Sequence, residues 1–150
     1  MTRMIFLVLL CASFSLRAEE VHEFAGKHFI ASYLHCDERA ISDVKALQEA
    51  MDRAVGGCGA TVLDKAHYVF APNGLTAVYL LSESHASIHT YPEYGACFVD
   101  LFTCGSNCSA ERFDAAMRSY LKPETVNARF FERSEEIGEI PYRFHEQETP

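Results

Sequence analysis

Residues 60–82, ATVLDKAHYVFAPNGLTAVYLLS, decide the fold. Two β-rich runs, 60–70 and 75–82, flank Ala71-Pro72-Asn73-Gly74, a four-residue segment with the Pro and Asn-Gly chemistry of a tight turn. They read as a hairpin, so the sheet is antiparallel where it can first be read. Upstream, KHFIASYLH at 27–35 alternates bulky apolar with smaller or polar residues, the period of a half-buried strand. Asp37 then caps a helix over 38–55, in which Ile41, Val44, Leu47, Met51 and Val55 recur at three- and four-residue steps until Gly56-Gly57 ends it.

Downstream, residues 87–90 and 95–103 flank Tyr91-Pro92-Glu93-Tyr94 and read as another strand pair. Ser109 caps a second amphipathic helix with the stripe Phe113, Ala116, Met117, Tyr120 and Leu121, closed by Pro123. A last strand over 125–132 precedes a polar, acidic tail. Strands joined by hairpins, with only two helices, predict an α+β fold: a two-layer α/β sandwich whose antiparallel sheet carries two helices on one face. The helix stripes are core and carry no chemistry.

A chain of 150 residues is one domain's worth, and 49% hydrophobic with 23% charged residues excludes low-complexity and disordered classes. The net charge of −8, with no Lys/Arg-rich run, argues against nucleic acid and anionic membranes as partners. Residues 1–18 are signal-like: Arg3, an apolar run from Ile5 to Leu16, then Arg17-Ala18. The run is short for a transmembrane helix, so no stable membrane anchor is expected. Translation from Val21 is the competing reading. Residues 19–150 form the expected single domain. Its cysteines, Cys36, Cys58, Cys97, Cys104 and Cys108, show no CxxC, and no His-x3-His accompanies them, which argues against zinc. In an oxidising compartment Cys104 and Cys108, four apart, are the pair to watch; a reducing one keeps every thiol.

Reactive side chains crowd into 81–95, with Cys104 a strand later. A hairpin tip of solvated polar groups accounts for that composition. A Ser-His hydrolase using Ser84 and His89, without a GxSxG elbow, and a Cys-His enzyme using Cys104 and His89 are the catalytic alternatives. The residues alone leave all three open.

Four longer stretches carry a resemblance: GKHFIASYLHCD at 26–37, LSESHASIHTYPEYG at 81–95, VDLFTCG at 99–105 and ERSEEIGEIP at 132–141. In these the chain resembles the short prokaryotic, pyruvoyl-dependent form of S-adenosylmethionine decarboxylase. The resemblance implies a proenzyme that cuts itself between Glu83 and Ser84, giving 1–83 (or 19–83) and 84–150. The Ser84 hydroxyl attacks the Glu83 carbonyl, the peptide becomes an ester, and elimination leaves a pyruvoyl group at residue 84. That group is the electron sink a decarboxylation needs, through a Schiff base with the substrate amine.

By the same resemblance His89 is the proton acceptor in processing, Thr76 a hydroxyl that helps processing, and Cys104 the proton donor in turnover. Phe70, Glu93 and His89 contact substrate, with Tyr91 and His85 as possible lining residues. The family commonly has Trp at the position of Tyr91 and Ser at that of Thr76. Its short members resemble assemblies of two cleaved protomers with active sites near the dimer interface, so self-association is expected. The product would be the aminopropyl donor for spermidine synthesis. A pyruvoyl-dependent arginine or ornithine decarboxylase and an exported binding module without catalysis are the alternatives. The substrate and the free thiol of Cys104 favour the cytoplasm; residues 1–18 favour export.

Overall fold

The structure is a computed structural model and describes residues 24–141. Its elements are β1 (Gly26–Leu34), α1 (Glu38–Ser42), α2 (Val44–Cys58), β2 (Val62–Phe70), β3 (Gly74–Leu81), β4 (Ser84–Tyr91), β5 (Ala96–Thr103), α3 (Ala110–Leu121), β6 (Thr125–Arg133) and β7 (Ile137–Ile140). A single 3₁₀ turn, Pro92–Tyr94, links β4 to β5. The strands form one seven-stranded sheet in the order β2-β3-β4-β5-β1-β6-β7, with every neighbouring pair antiparallel. The α+β sandwich expected from the hairpins is present, with three α-helices among the described residues rather than the two expected. The signal-like residues 1–18 lie outside the described residues.

Alternation sorts the sheet into two faces. Phe29, Ala31 and Tyr33 of β1, Leu75, Ala77, Tyr79 and Leu81 of β3, Ala86 and Ile88 of β4, and Cys97, Val99 and Leu101 of β5 are buried. They form one core with Leu47, Met51, Ala54 and Val55 of α2 and Phe113, Met117 and Leu121 of α3. Each large side chain so buried contributes about 1.5–3 kcal/mol over leaving it in water. Two polar ties cross this core. Tyr33 donates to Asp114 at 2.5 Å, and Asp114 pairs with Arg118 at 2.7 Å. Tyr79 donates to Asp52 at 2.8 Å, and Lys65 bonds both Asp52 oxygens at 2.8 and 2.9 Å. Burial, then the Asp52 hydrogen bond and charge, raise the Tyr79 hydroxyl above its ordinary value. Burial alone would raise the Asp52 carboxyl, but hydrogen bonds from Lys65 and Tyr79 outweigh it and leave the group lowered.

The helix expected over 38–55 is two helices. Asp43 leaves helical geometry (φ −85°, ψ 89°) and its side chain accepts from Ala46 N–H, starting α2 as Asp37 starts α1. The apolar spacing runs through this break, which is why periodicity alone does not reveal it. Nor do Gly56-Gly57 stop α2: it continues to Cys58, and Gly59 ends it at φ 100°, the left-handed conformation a C-cap favours. A side chain at Gly59 would also meet the Asn107 carbonyl. β4 is longer than the 87–90 segment expected. Part of the acidic tail pairs as β7, where Glu139 meets Arg129 at 3.3 Å.

Among the described residues, no helix lies on the opposite face of the sheet. Val78, Leu80, Tyr68, Phe70, Tyr91 and Phe98 stand exposed on it or at its edge. Nearer its centre Asp100 is held by His28 at 3.1 Å and accepts from Ser87 at 3.5 Å. No helix among the described residues is long and apolar enough to cross a membrane.

Candidate active site

Ser84 opens β4 and pairs in register with Thr103, the last residue of β5. Its backbone φ is +155°, a region that non-glycine residues rarely occupy, at a typical cost of about 1–3 kcal/mol. The strain lies at the residue whose amide joins it to Glu83. The Ser84 hydroxyl lies 3.1 Å from His85 Nδ1, an imidazole placed to take the hydroxyl proton. The Glu83 carbonyl accepts a 3.0 Å hydrogen bond from the Cys104 N–H. A donor fixed on that carbonyl also stabilises negative charge developing on its oxygen.

The Glu83 side chain is buried beside this junction. Its Oε2 accepts from Thr61 N–H at 2.9 Å, while Oε1 has no hydrogen-bond partner. Gly105 makes room for it: a Cβ there would stand 2.6 Å from Glu83 Cγ. Cys104 is half-buried, its sulfur close to Gly26 at the start of β1. His85 and His28 both pack against Phe102, at 5.8 and 5.5 Å between ring centroids, and the Arg133 guanidinium covers that ring at 4.4 Å.

A second cluster occupies the other end of β4. Thr76 of β3 and His89 of β4 are register partners, and Thr76 Oγ1 lies 2.5 Å from His89 Nδ1. The His89 ring packs edge-on against Phe70 at 5.9 Å and Tyr91 at 4.6 Å, and Phe70 against Tyr68 at 4.8 Å. Tyr91 continues the group to Phe98 at 5.7 Å and Tyr94 at 6.5 Å. Glu93 stands exposed on the 3₁₀ turn beside it.

The structure therefore brings Glu83, Ser84 and Cys104 together, and Thr76, His89 and Phe70 together, but not the two groups with each other. Five residue steps along the strand separate Ser84 from His89, roughly 16 Å at about 3.3 Å per step. This removes the Ser84–His89 hydrolase pair and the Cys104–His89 pair within one chain. The correction follows from β4 being a continuous strand rather than a compact tip. Two features were missed in the sequence: His85 as the contact of the Ser84 hydroxyl, and the Cys104 amide on the Glu83 carbonyl. The first had a signal in simple adjacency; the second depends on register. Cys104 is also not the neighbour of Cys108, whose sulfur lies 3.1 Å from that of Cys58. Among the described residues no group of three or more His, Cys, Asp or Glu side chains could hold a metal ion.

Comparison with known proteins agrees in sequence and in shape. The family model for S-adenosylmethionine decarboxylase matches residues 27–134. An S-adenosylmethionine decarboxylase proenzyme of Methanococcus aeolicus is 40% identical over 98 residues, covering 65% of this chain and 84% of the relative. One from Thermotoga petrophila is 35% identical over 115 residues, covering 75% and 88%. The crystal structure of the adenosylmethionine decarboxylase from Aquifex aeolicus superposes with a TM-score of 0.68 at 32% identity, covering 83% of this chain and 96% of that one. The chain belongs to the S-adenosylmethionine decarboxylase family.

Proposed function

We propose that this chain is a self-processing decarboxylase of S-adenosylmethionine, cut between Glu83 and Ser84. The observation that carries the reading is the junction itself: a strained Ser84, its hydroxyl against an imidazole, and a backbone donor already on the carbonyl to be attacked. In processing His85 takes the Ser84 hydroxyl proton as the oxygen attacks Glu83, and the Cys104 N–H holds the resulting oxyanion. Release of backbone strain helps an acyl shift that is uphill for a relaxed peptide. The pyruvoyl group left at residue 84 supplies the electron sink for decarboxylation. The Cys104 thiol would carry the proton delivered to the substrate's α-carbon. The relatives favour S-adenosylmethionine over arginine or ornithine, and an intact cleavage junction disfavours a binding module without catalysis.

The reading includes a second copy of the chain. Thr76, His89, Phe70 and Glu93 stand too far from their own Ser84 to serve it. Two copies packed open face to open face in antiparallel fashion would set the His89 end of one β4 over the Ser84 end of the other. His89 would then remove the ester α-proton in its partner, with Thr76 assisting. Phe70 and Tyr91 would offer aromatic faces to the sulfonium and the adenine, and Glu93 a carboxylate to the ribose. The same packing would cover the exposed apolar side chains of that face. Cytoplasmic operation fits this substrate and a free Cys104.

Denaturing mass spectrometry of fresh protein tests the cut. Two fragments are expected, the later beginning at residue 84 and lighter by one ammonia than hydrolysis would leave it. Ser84→Ala should give one intact chain and no activity, because the attacking oxygen is gone. An intact wild-type chain would overturn the reading.

A further inference from the structure

The five cysteines among the described residues are all thiols, and four of them meet in pairs. Cys58 Sγ and Cys108 Sγ lie 3.1 Å apart in the core. Cys36 and Cys97 are the other neighbours: the Cys36 N–H donates at 2.8 Å to the carbonyl of Gly95, two residues before Cys97. Only Cys104 stands outside the pairs. In each pair one member precedes the Glu83-Ser84 junction and the other follows it.

We propose that, when the protein meets oxidising conditions, Cys58 and Cys108, with Cys36 and Cys97 as a second pair, close to disulfides that tie the two cleavage products together and leave Cys104 as the free thiol. The tie rests on the cleavage proposed above; the disulfides themselves do not. The backbone is set for the first of them. Cys58 ends α2 and Cys108 lies just before α3, and the Cys58 carbonyl accepts from both Ser109 N–H (2.9 Å) and the Arg112 guanidinium (2.8 Å). The sulfurs need to approach by only about 1 Å to reach bonding distance, a shift within side-chain torsion. The two buried sulfurs already face each other, and a cleft lined by Thr103, Ser106, Asn107, Cys108 and Arg112 reaches Cys108 from solvent.

Reactivity is also unequal within the pair. The Cys108 thiol directed at Cys58, helped by the Ala60 amide and Arg112 against the opposing effect of burial, lowers the Cys58 thiol to about 7. The Cys108 thiol is raised, by its bond to Cys58 and then by burial. Access decides the order: Cys108 lines the cleft while Cys58 is wholly buried, so Cys108 is the sulfur a reagent meets first. The oxidant is a low-molecular-weight disulfide such as oxidised glutathione. Cys108, losing its proton, attacks it and releases one reduced thiol; Cys58, losing its proton, attacks the mixed disulfide on Cys108 and releases the second. Two protons and two electrons leave the protein, and the reagent is reduced to two thiols. The close thiol contacts replace the Cys104–Cys108 pairing suggested by sequence spacing, and they spare the proposed proton donor.

The test treats the folded, full-length protein with oxidised glutathione, alkylates remaining thiols, and compares denaturing gels with and without reductant, followed by peptide mapping. The two fragments should travel as one species until reductant is added. Mapping should find Cys58 joined to Cys108, Cys36 joined to Cys97, and Cys104 alkylated. In the Cys36→Ala/Cys58→Ala double variant the fragments should separate without reductant. If the wild-type chain stays single even in reductant, the cleavage reading fails, while a mapped Cys58–Cys108 peptide still upholds the disulfide. Separation of wild-type fragments without reductant, with Cys58 and Cys108 both alkylated, would overturn the proposal, as would a bridge to Cys104. The mapping needs no variant, so it stands even where a substitution impairs folding.

Discussion

The two ends of β4 sit on one rigid strand and are built for different work. At the Ser84 end the backbone is strained, a carboxylate is buried with one oxygen unpaired, and an amide and an imidazole address the atoms of one peptide bond. At the His89 end the backbone is regular and the side chains form a half-exposed aromatic cluster around a Thr-His pair. In the function proposed above, the first makes and breaks bonds, and the second holds a ring and moves a proton. A strand cannot fold back to join its own ends, so the contrast points to a second copy.

The largest expected effects separate processing from turnover. His89→Ala should leave the chain largely uncleaved, because no base removes the ester α-proton. Cys104→Ala should still cleave, since the donor on the Glu83 carbonyl is a backbone amide that survives the substitution. Its turnover should fall by roughly 10² to 10⁴, the range general acid catalysis contributes. Mass spectrometry and carbon dioxide release on the same samples check both. Full activity in Cys104→Ala would assign the proton to another group.

A smaller change is expected from Phe70→Ala. Losing one aromatic face removes about 0.5–1.5 kcal/mol beyond the area lost, which raises KM roughly tenfold with kcat and cleavage little changed. Steady-state kinetics reads this directly, and a fall in cleavage instead would place Phe70 in the core of the fold.

The smallest effect concerns support rather than chemistry. Asp52 ties α2 to β2 and β3, and its carboxyl is lowered in the folded protein. A lowered carboxylate contributes stability that is present above its unfolded value of about 3.9 and is lost as pH falls through the folded value. Asp52→Asn should therefore be less stable than wild type in denaturant at neutral pH, with the gap closing below about pH 4 and cleavage unaffected throughout.

How much of this was legible in the sequence depended on local chemistry. The Ala71–Gly74 turn, the Asp37 and Ser109 caps and the stop before Pro123 each act within a few residues, and each stands where it was expected. Asp43 was not legible, because the apolar stripe keeps its phase across the break. Residues 137–140 looked like an acidic tail, and they pair as a strand because β6 offers them an open edge. The site residues were named by motif, yet their separation was hidden. Read as a polar tip, 81–95 would bring Ser84 and His89 together; paired along its length with β3 and β5, it holds them apart. The thiol pairs joining β1–α1 to β5 and α2 to the start of α3 depend on packing alone, and spacing suggested the wrong partner for Cys108.

The central claim is that each site takes Ser84 from one chain and His89 from another, and co-expression of differently tagged Ser84→Ala and His89→Ala chains tests it most directly. Each variant alone should remain essentially uncleaved. In mixed pairs isolated through both tags, the His89→Ala chain should now be cut, because its Ser84 faces the intact His89 of its partner, while the Ser84→Ala chain stays whole. If both chains remain intact in purified mixed pairs, His89 serves its own chain and the account is contradicted.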